Sequence, residues 1–231
     1  VRISPTLVQF AITGYRGFAR AGLDRKRIRA ARALAPALAV ALRVKDGLTR
    51  KRLPQSPASH EFAEVDGFDQ RFDTFWDELA GRHPERLLGV RDAAALRWHY
   101  AIPALAGRVW TVVALRDGAI RAYCVLKQHF RPDGARSMKL VDFQTLDDEV
   151  DLLPGLLRLA LRRSRAESCY FLEHHGCGLP KTRAFDSLAR YRVGKPSWSF
   201  YYYTEDPALE ERLPDPGIWD PSEFDGDSSY K

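Results

Sequence analysis

Between Val109 and Phe130 lie two mostly apolar, strand-like runs, VWTVVALR and AIRAYCVLKQHF, separated by Asp117-Gly118. Short apolar runs bounded by a turn signal read as strands, and Asp-Gly supplies the positive φ angles of a tight hairpin turn. A third run, SMKLVDFQTL, comes after a loop at Pro132 to Gly134. The period then lengthens. In DEVDLLPGLLRLALRRSRAES, residues Val150, Leu153, Leu156, Leu157, Ala160 and Leu161 recur near every 3.6 positions, which predicts a helix. A strand at Cys169–Leu172, a helix over Lys181–Arg190 and a last strand, WSFYYYT, complete the pattern. Upstream, Phe68, Phe72, Phe75, Trp76 and Leu79 mark one face of a helix with Asp69 at its N-cap, an aromatic stripe that reads as core. Asp92 caps a second, shorter helix that Pro103 closes. The fold class expected is α/β (α+β): a mixed, largely antiparallel sheet flanked by helices.

The beginning of the chain reads differently. Leu7 to Ile12 fits a short strand, and Gly14, Gly17 and Gly22 interrupt the pattern beyond it. From Asp24, a candidate N-cap, a helix runs through AARALAPALAVALRV, with Pro36 set to kink it. LTRKRLPQSPASH has the composition of a linker. Residues 1–60 are therefore expected as a basic helical arm and linker, 61–204 as the main domain and 205–231 as an acidic tail. Charge supports this division. Of the net +6, the first 60 residues hold 13 Lys/Arg against 2 Asp/Glu, and the remainder holds 23 against 28. The basicity thus belongs to the arm, and with no aromatic residue between Phe18 and Phe62 it offers no stacking platform for nucleic acid. Two readings of the arm remain: packing on a neighbouring domain with its charges solvated, or contact of its Ala/Leu face with an anionic membrane surface. The tail carboxylates are candidates to dock on the arm.

No run of 18 apolar residues occurs, and no leader pattern opens the sequence. Cys124, Cys169 and Cys177 form no C-x-x-C pair, which suits a reduced, cytoplasmic setting. With Val at position 1 and Met138 the single methionine, the chain is expected to be a fragment or to have an unconventional start.

Reactive side chains concentrate in ESCYFLEHHGCG. Glu173, His174, His175 and Cys177 lack a matching ligand pair, so no metal is expected. The same residues fit an ordinary polar loop, a Cys–His nucleophile with Gly176–Gly178 backbone donors, or a general base at Glu173 or His174 acting on an amine. Asp142 is an ionisable group inside an apolar strand. It must either pair with an arginine or face a cleft, and alternation places it opposite Val141 and Phe143, alongside Leu140 and Gln144.

FDQRFDTFWDEL, VRDAAALRWHY, the hairpin ending in YCVLK, and KLVDF occur in an order that resembles GNAT-type acyltransferases, over roughly Phe68 to Tyr203. More narrowly, the chain is similar to bacterial acyltransferase-like proteins with two GNAT-like halves, of which it would be the second. The first 25 residues would then be the exit of the missing first half. The resemblance implies transfer of an acyl group from acetyl-CoA or another acyl-CoA to an amine of a small metabolite or amino sugar. The thioester would lie where two parallel strands splay, its pantetheine on the backbone of Leu140, Val141, Asp142, Phe143, Gln144, Thr145 and Leu146. Glu173, His174 or Asp142 would serve as base, and Tyr191 as acid. The expected partners are the small-molecule acceptor and either a second copy or the missing half. One departure matters. The family's Gly-rich pyrophosphate loop is replaced by Asp147, Asp148 and Glu149, which favours a helix N-terminus but repels phosphate. The alternatives are a donor held differently, as in relatives using aminoacyl-tRNA, and a non-catalytic binding module.

Overall fold

A computed structural model of the chain describes residues 7–49, 53–148, 150–176, 185, 191–194, 203–220 and 222–225. The strand-like runs become β1 (Leu7–Ile12), β3 (Val109–Arg116), β4 (Ala119–Phe130), β5 (Arg136–Thr145) and β6 (Phe171–Gly176), and two strands the pattern did not predict join them, β2 (Glu61–Val65) and β7 (Tyr191–Gly194). They form one seven-stranded sheet in the order β2-β3-β4-β5-β6-β1-β7. Every pairing is antiparallel except β5 with β6. Asp117 and Gly118 turn the β3–β4 hairpin with φ of 53° and 79°, the left-handed pair a two-residue loop requires.

Seven α-helices occur among the described residues: α1 (Tyr15–Arg25), α2 (Ala31–Thr49), α3 (Gln70–Arg82), α4 (Ala93–His99), α5 (Ala101–Leu105), α6 (Leu153–Ala166) and α7 (Pro207–Arg212). The helix α6 is the crossover that makes β5 and β6 parallel. It buries Leu153, Leu156, Leu157 and Ala160 on Val112, Cys124, Leu126 and Leu140 of the sheet. Gly155 lets the first turn meet β2, because a Cβ there would overlap the Phe62 ring. Gly155→Ala is expected to destabilise the fold by about 1–3 kcal/mol through this overlap, against helix propensity. A chemical-denaturation midpoint unchanged from wild type would refute it.

The opposite face is covered by α3 and α4, and Phe72 and Phe75 of α3 meet the Tyr123 ring edge-on at 5.4 and 5.3 Å. Both helices begin where their caps predict, Asp69 accepting from the Arg71 N–H and Asp92 from the Ala95 N–H. Pro103 does not close the second helix but lies inside α5.

The N-terminal region departs further from expectation. Asp24 is no N-cap: it lies in the last turn of α1, which runs through Gly17 and Gly22. Gly17 is needed there because the Tyr170 ring occupies the place of a Cβ. A turn with Arg27 at φ 56° then separates α1 from α2, and α2 continues through Pro36. Most consequentially, β1 lies between β6 and β7, inside the sheet built by the rest of the chain. The tail is also built in. Leu87 N–H donates to the Ile218 carbonyl at 2.8 Å, and Arg212 donates to the Glu85 carbonyl, which leads residues 222–225 onto the sheet. Of the expected helix Lys181–Arg190 only Phe185 is described. The core of the expected strand at Trp198–Thr204, residues 198–202, lies outside the described residues, as do Glu149 and Cys177.

Candidate active site

The β5–β6 ladder runs from Ser137/Phe171 to Leu140/His174, while β5 continues to Thr145. The two parallel strands fork at that rung. In the same place β5 carries a bulge: Val125 of β4 faces Asp142 and Leu126 faces Leu140, so Val141 is the extra residue. A bulge resets the alternation. Val141 joins the core under α3 and α4, whereas Leu140 and Phe143 both join the core under α6. The expectation that Val141 and Phe143 share a face is corrected for this reason.

Asp142 turns with Val141 toward a buried polar network. Its carboxylate accepts from Arg91 Nε at 3.1 Å, Tyr123 Oη at 2.8 Å and Ser222 Oγ at 2.8 Å. Arg91 in turn spans to Asp225 at 2.7 Å and to the Gly89 carbonyl at 2.8 Å, with its guanidinium 4.5 Å from the Phe224 ring centre. Both Arg91 and Asp142 are 0% exposed. Burial works against the Arg91 charge, but Asp142 and Asp225 more than offset it and hold its pKa above the ordinary value. Burial likewise pushes the Tyr123 hydroxyl well up, and Asp142 adds to that shift. The structure thus selects the arginine-pair reading of Asp142 over the cleft-facing one.

Beside this network lies a second cluster. Successive residues of β6 point to opposite faces. Glu173 and His175 face the tail and α4 side, and His174 faces α6. Ser137 Oγ donates to Glu173 Oε1 at 2.7 Å. His175 Nδ1 lies 2.5 Å from Glu223 Oε1, and its Nε2 lies 3.8 Å from Glu173 Oε2. Lys139 Nζ reaches Glu223 at 3.4 Å. Burial opposes the charge on all three acid–base groups, yet their mutual contacts win. Glu173 and Glu223 sit below the usual carboxylate range, and His175 sits above the usual imidazole value. Glu223 is 2% exposed, and its Oε2 has no hydrogen-bond partner among the described residues. His99, stacked on Phe224 at 4.1 Å, is pushed by burial down to about 4.

The fork and this cluster bring together only part of what the sequence nominated. Glu173 is present, but His174 is not beside it: its ring stacks on Phe185 at 3.9 Å on the other face. Phe185, buried and edge-on to Phe143 at 6.5 Å, lies over the fork on the α6 side. Tyr191 opens the edge strand β7, where its hydroxyl donates to Asp46 of α2 at 2.8 Å and its ring stacks on Phe10. It shares a rung of the sheet with Glu173 but lies one strand further out, with Phe10 of β1 between them. Lys139 and Glu223 went unpredicted, and His175 was named in the reactive cluster but not as its base. Tail carboxylates were expected on the arm, but Glu223 and Asp225 bind Lys139, His175 and Arg91 instead.

Two of the three acids before α6, Asp147 and Asp148, also behave differently from expectation. Asp147 pairs with Arg82 and Arg121, and Asp148 with Arg86 at 2.5 Å. These carboxylates are matched by arginines rather than presented to the α6 N-terminus, which has no acidic residue in its first turn. Far from the fork, a cavity of about 610 Å³ opens between β2, β3 and α5, lined by Glu64, Arg97, Trp110 and Arg163 among others. Among the described residues, no group of His, Cys, Asp and Glu is arranged to hold a metal, and no helix is long and apolar enough to cross a membrane.

No family model matches the sequence, and no curated protein matches it. Solved structures do. A ribosomal-protein-alanine N-acetyltransferase from Brucella melitensis biovar Abortus 2308 is similar over 63% of this chain and 99% of its own, at 13% identity and a TM-score of 0.43. A predicted acetyltransferase with acetyl-CoA from Clostridium acetobutylicum is similar over 65% of this chain and 97% of its own, at 10% identity and a TM-score of 0.44. A GCN5-related N-acetyltransferase from Anabaena variabilis covers 85% of this chain with 39% of its own length, at 9% identity and a TM-score of 0.46.

Proposed function

We propose that the chain transfers an acyl group from a thioester to an amine, with Glu173, His175 and Glu223 as the proton-accepting group. The observation that carries this is the placement of that cluster. Glu173 and His175 flank His174, the residue at which β5 and β6 part, and a buried carboxylate oxygen of Glu223 there has no donor among the described residues. An amine N–H is the donor such an oxygen lacks. The amine nitrogen would attack the thioester carbonyl carbon, the C–S bond would break and the thiolate would leave. The proton lost by nitrogen would pass to the carboxylate, directly or through His175. In line with the resemblance, the donor is an acyl-CoA laid along the β5 backbone from Leu140 to Leu146, and the acceptor is a small metabolite or amino sugar.

Phe185 favours a second reading. Its buried ring covers the fork between His174 and Phe143, which suits a binding or interaction module that takes no thioester. Calorimetric titration of the purified chain with acetyl-CoA and with CoA separates the two. Micromolar binding is expected from the enzyme reading. No heat from the folded wild type and from folded Phe185→Ala alike would end that reading and leave the module.

A further inference from the structure

The hairpin of α1 and α2 presents a surface that the acyl-transfer reading does not use. Only a narrow stripe of α2 is covered: Ala31, Ala35 and Ala39 pack against Ala19 and Leu23 of α1. The outward side carries Leu34 and Leu38, then Val40, Val44 and Leu48, exposed by 48, 37, 63, 55 and 84%. Their spacing puts them on one broad arc about 21 Å long, with exposed Ala33, Ala37 and Ala41 between them. A helix apolar on both its inner and outer sides belongs in an apolar medium, so water is not its resting surround.

The charges say which medium. Residues 15–49 hold nine Lys/Arg and two Asp/Glu. Of the nine cations, Arg20 alone meets a carboxylate among the described residues, that of Asp24 at 3.6 Å. The other acid, Asp46, is buried and accepts from the hydroxyls of Tyr15 and Tyr191. Arg25, Lys26, Arg27 and Arg29 cluster at the turn before α2, and Arg43 flanks Val44. Two copies meeting through this strip would bring like charges together, whereas an anionic surface gains from every one of them. Two tail carboxylates, Glu223 and Asp225, are engaged on the sheet instead.

We infer that the outer face of α2 lies on an anionic lipid surface, with Val40, Val44 and Leu48 entering the headgroup boundary and the flanking arginines meeting the headgroups. The inference is independent of what the site near β6 does. It is tested by co-sedimenting the full chain with phosphatidylcholine vesicles, with and without phosphatidylglycerol, at about 0.1 M salt, where charges are felt over about 10 Å. The chain should pellet with the anionic vesicles only. The double variant Val40→Asp/Val44→Asp, altered at exposed positions, should lose about tenfold in bound fraction with an unchanged melting temperature. Three results would overturn the inference: no sedimentation with anionic vesicles, equal sedimentation with neutral ones, or a vesicle-free dimer that the double variant dissolves. The last would mean that a second copy covers the strip.

Discussion

Replacing Arg91 by Met should cost the fold about 3–5 kcal/mol, the usual result of removing one partner from a buried charge pair. The guanidinium joins Asp142 on β5 to Asp225 in the tail, and both Arg91 and Asp142 are fully enclosed. Without it, a fully buried carboxylate keeps its desolvation cost and loses its counterion. Arg91→Lys should rescue little, because one ammonium cannot serve Asp142, Asp225 and the Gly89 carbonyl along three directions. Adding Asp142→Asn to Arg91→Met should recover part of the loss, since it removes the stranded charge. Urea unfolding of the set checks this. A loss below about 1 kcal/mol would show that the network is solvated rather than structural.

Glu223→Gln should slow acyl transfer by about 10²- to 10⁴-fold, the range for losing a general base, while the chain stays folded. The same variant should change how stability depends on pH. Glu173 and Glu223 have lowered pKa values, so their contribution is present above about pH 4.3 and fades as pH falls through the folded values. The raised His175 value works the other way: its contribution is complete below about pH 6.5 and is lost as pH rises through the folded value. The wild type should therefore lose this stabilisation as pH rises above about 6.5, and Glu223→Gln should lose less of it. His99, pushed down to about 4, favours the folded state above its ordinary value in both proteins, so the difference between them isolates His175. Equal pH dependence in thermal melts would remove His175 from contact with Glu223. Unchanged turnover would remove Glu223 from the chemistry.

How much of the structure could be read in the sequence depends on the range of the forces involved. The hairpin at Asp117-Gly118 and the caps at Asp69 and Asp92 depend on neighbours a few positions away, and each forms where it is predicted. That Asp142 needs a cation was legible from its apolar strand. Which arginine supplies it was not, because Arg91 is 51 positions away. The bulge at Val141 has no glycine to announce it, so Val141 was wrongly placed with Phe143, and Asp142 with Leu140. His174 was preferred to His175 although the strand period separates them, since their chemistry is identical and only the sheet decides which one meets Glu173. Glu223 sat in a stretch read as an acidic tail with its carboxylates docked on the arm. The one local signal was Phe224, an aromatic residue between two acids, which has reason to be buried.

The place of β1 has a bearing on how the chain is made. Its residues pair with 171–176 and 191–194, so its ladders span more than half the chain. High contact order of this kind slows folding. At ribosomal rates of about 5–20 residues per second, LVQFAI would emerge roughly ten to thirty seconds before its partners. For that interval a β-prone, uncharged hexapeptide has no strand to join, and the net positive charge of the arginine-rich segment behind it is the nearest device to keep nascent chains from pairing with one another.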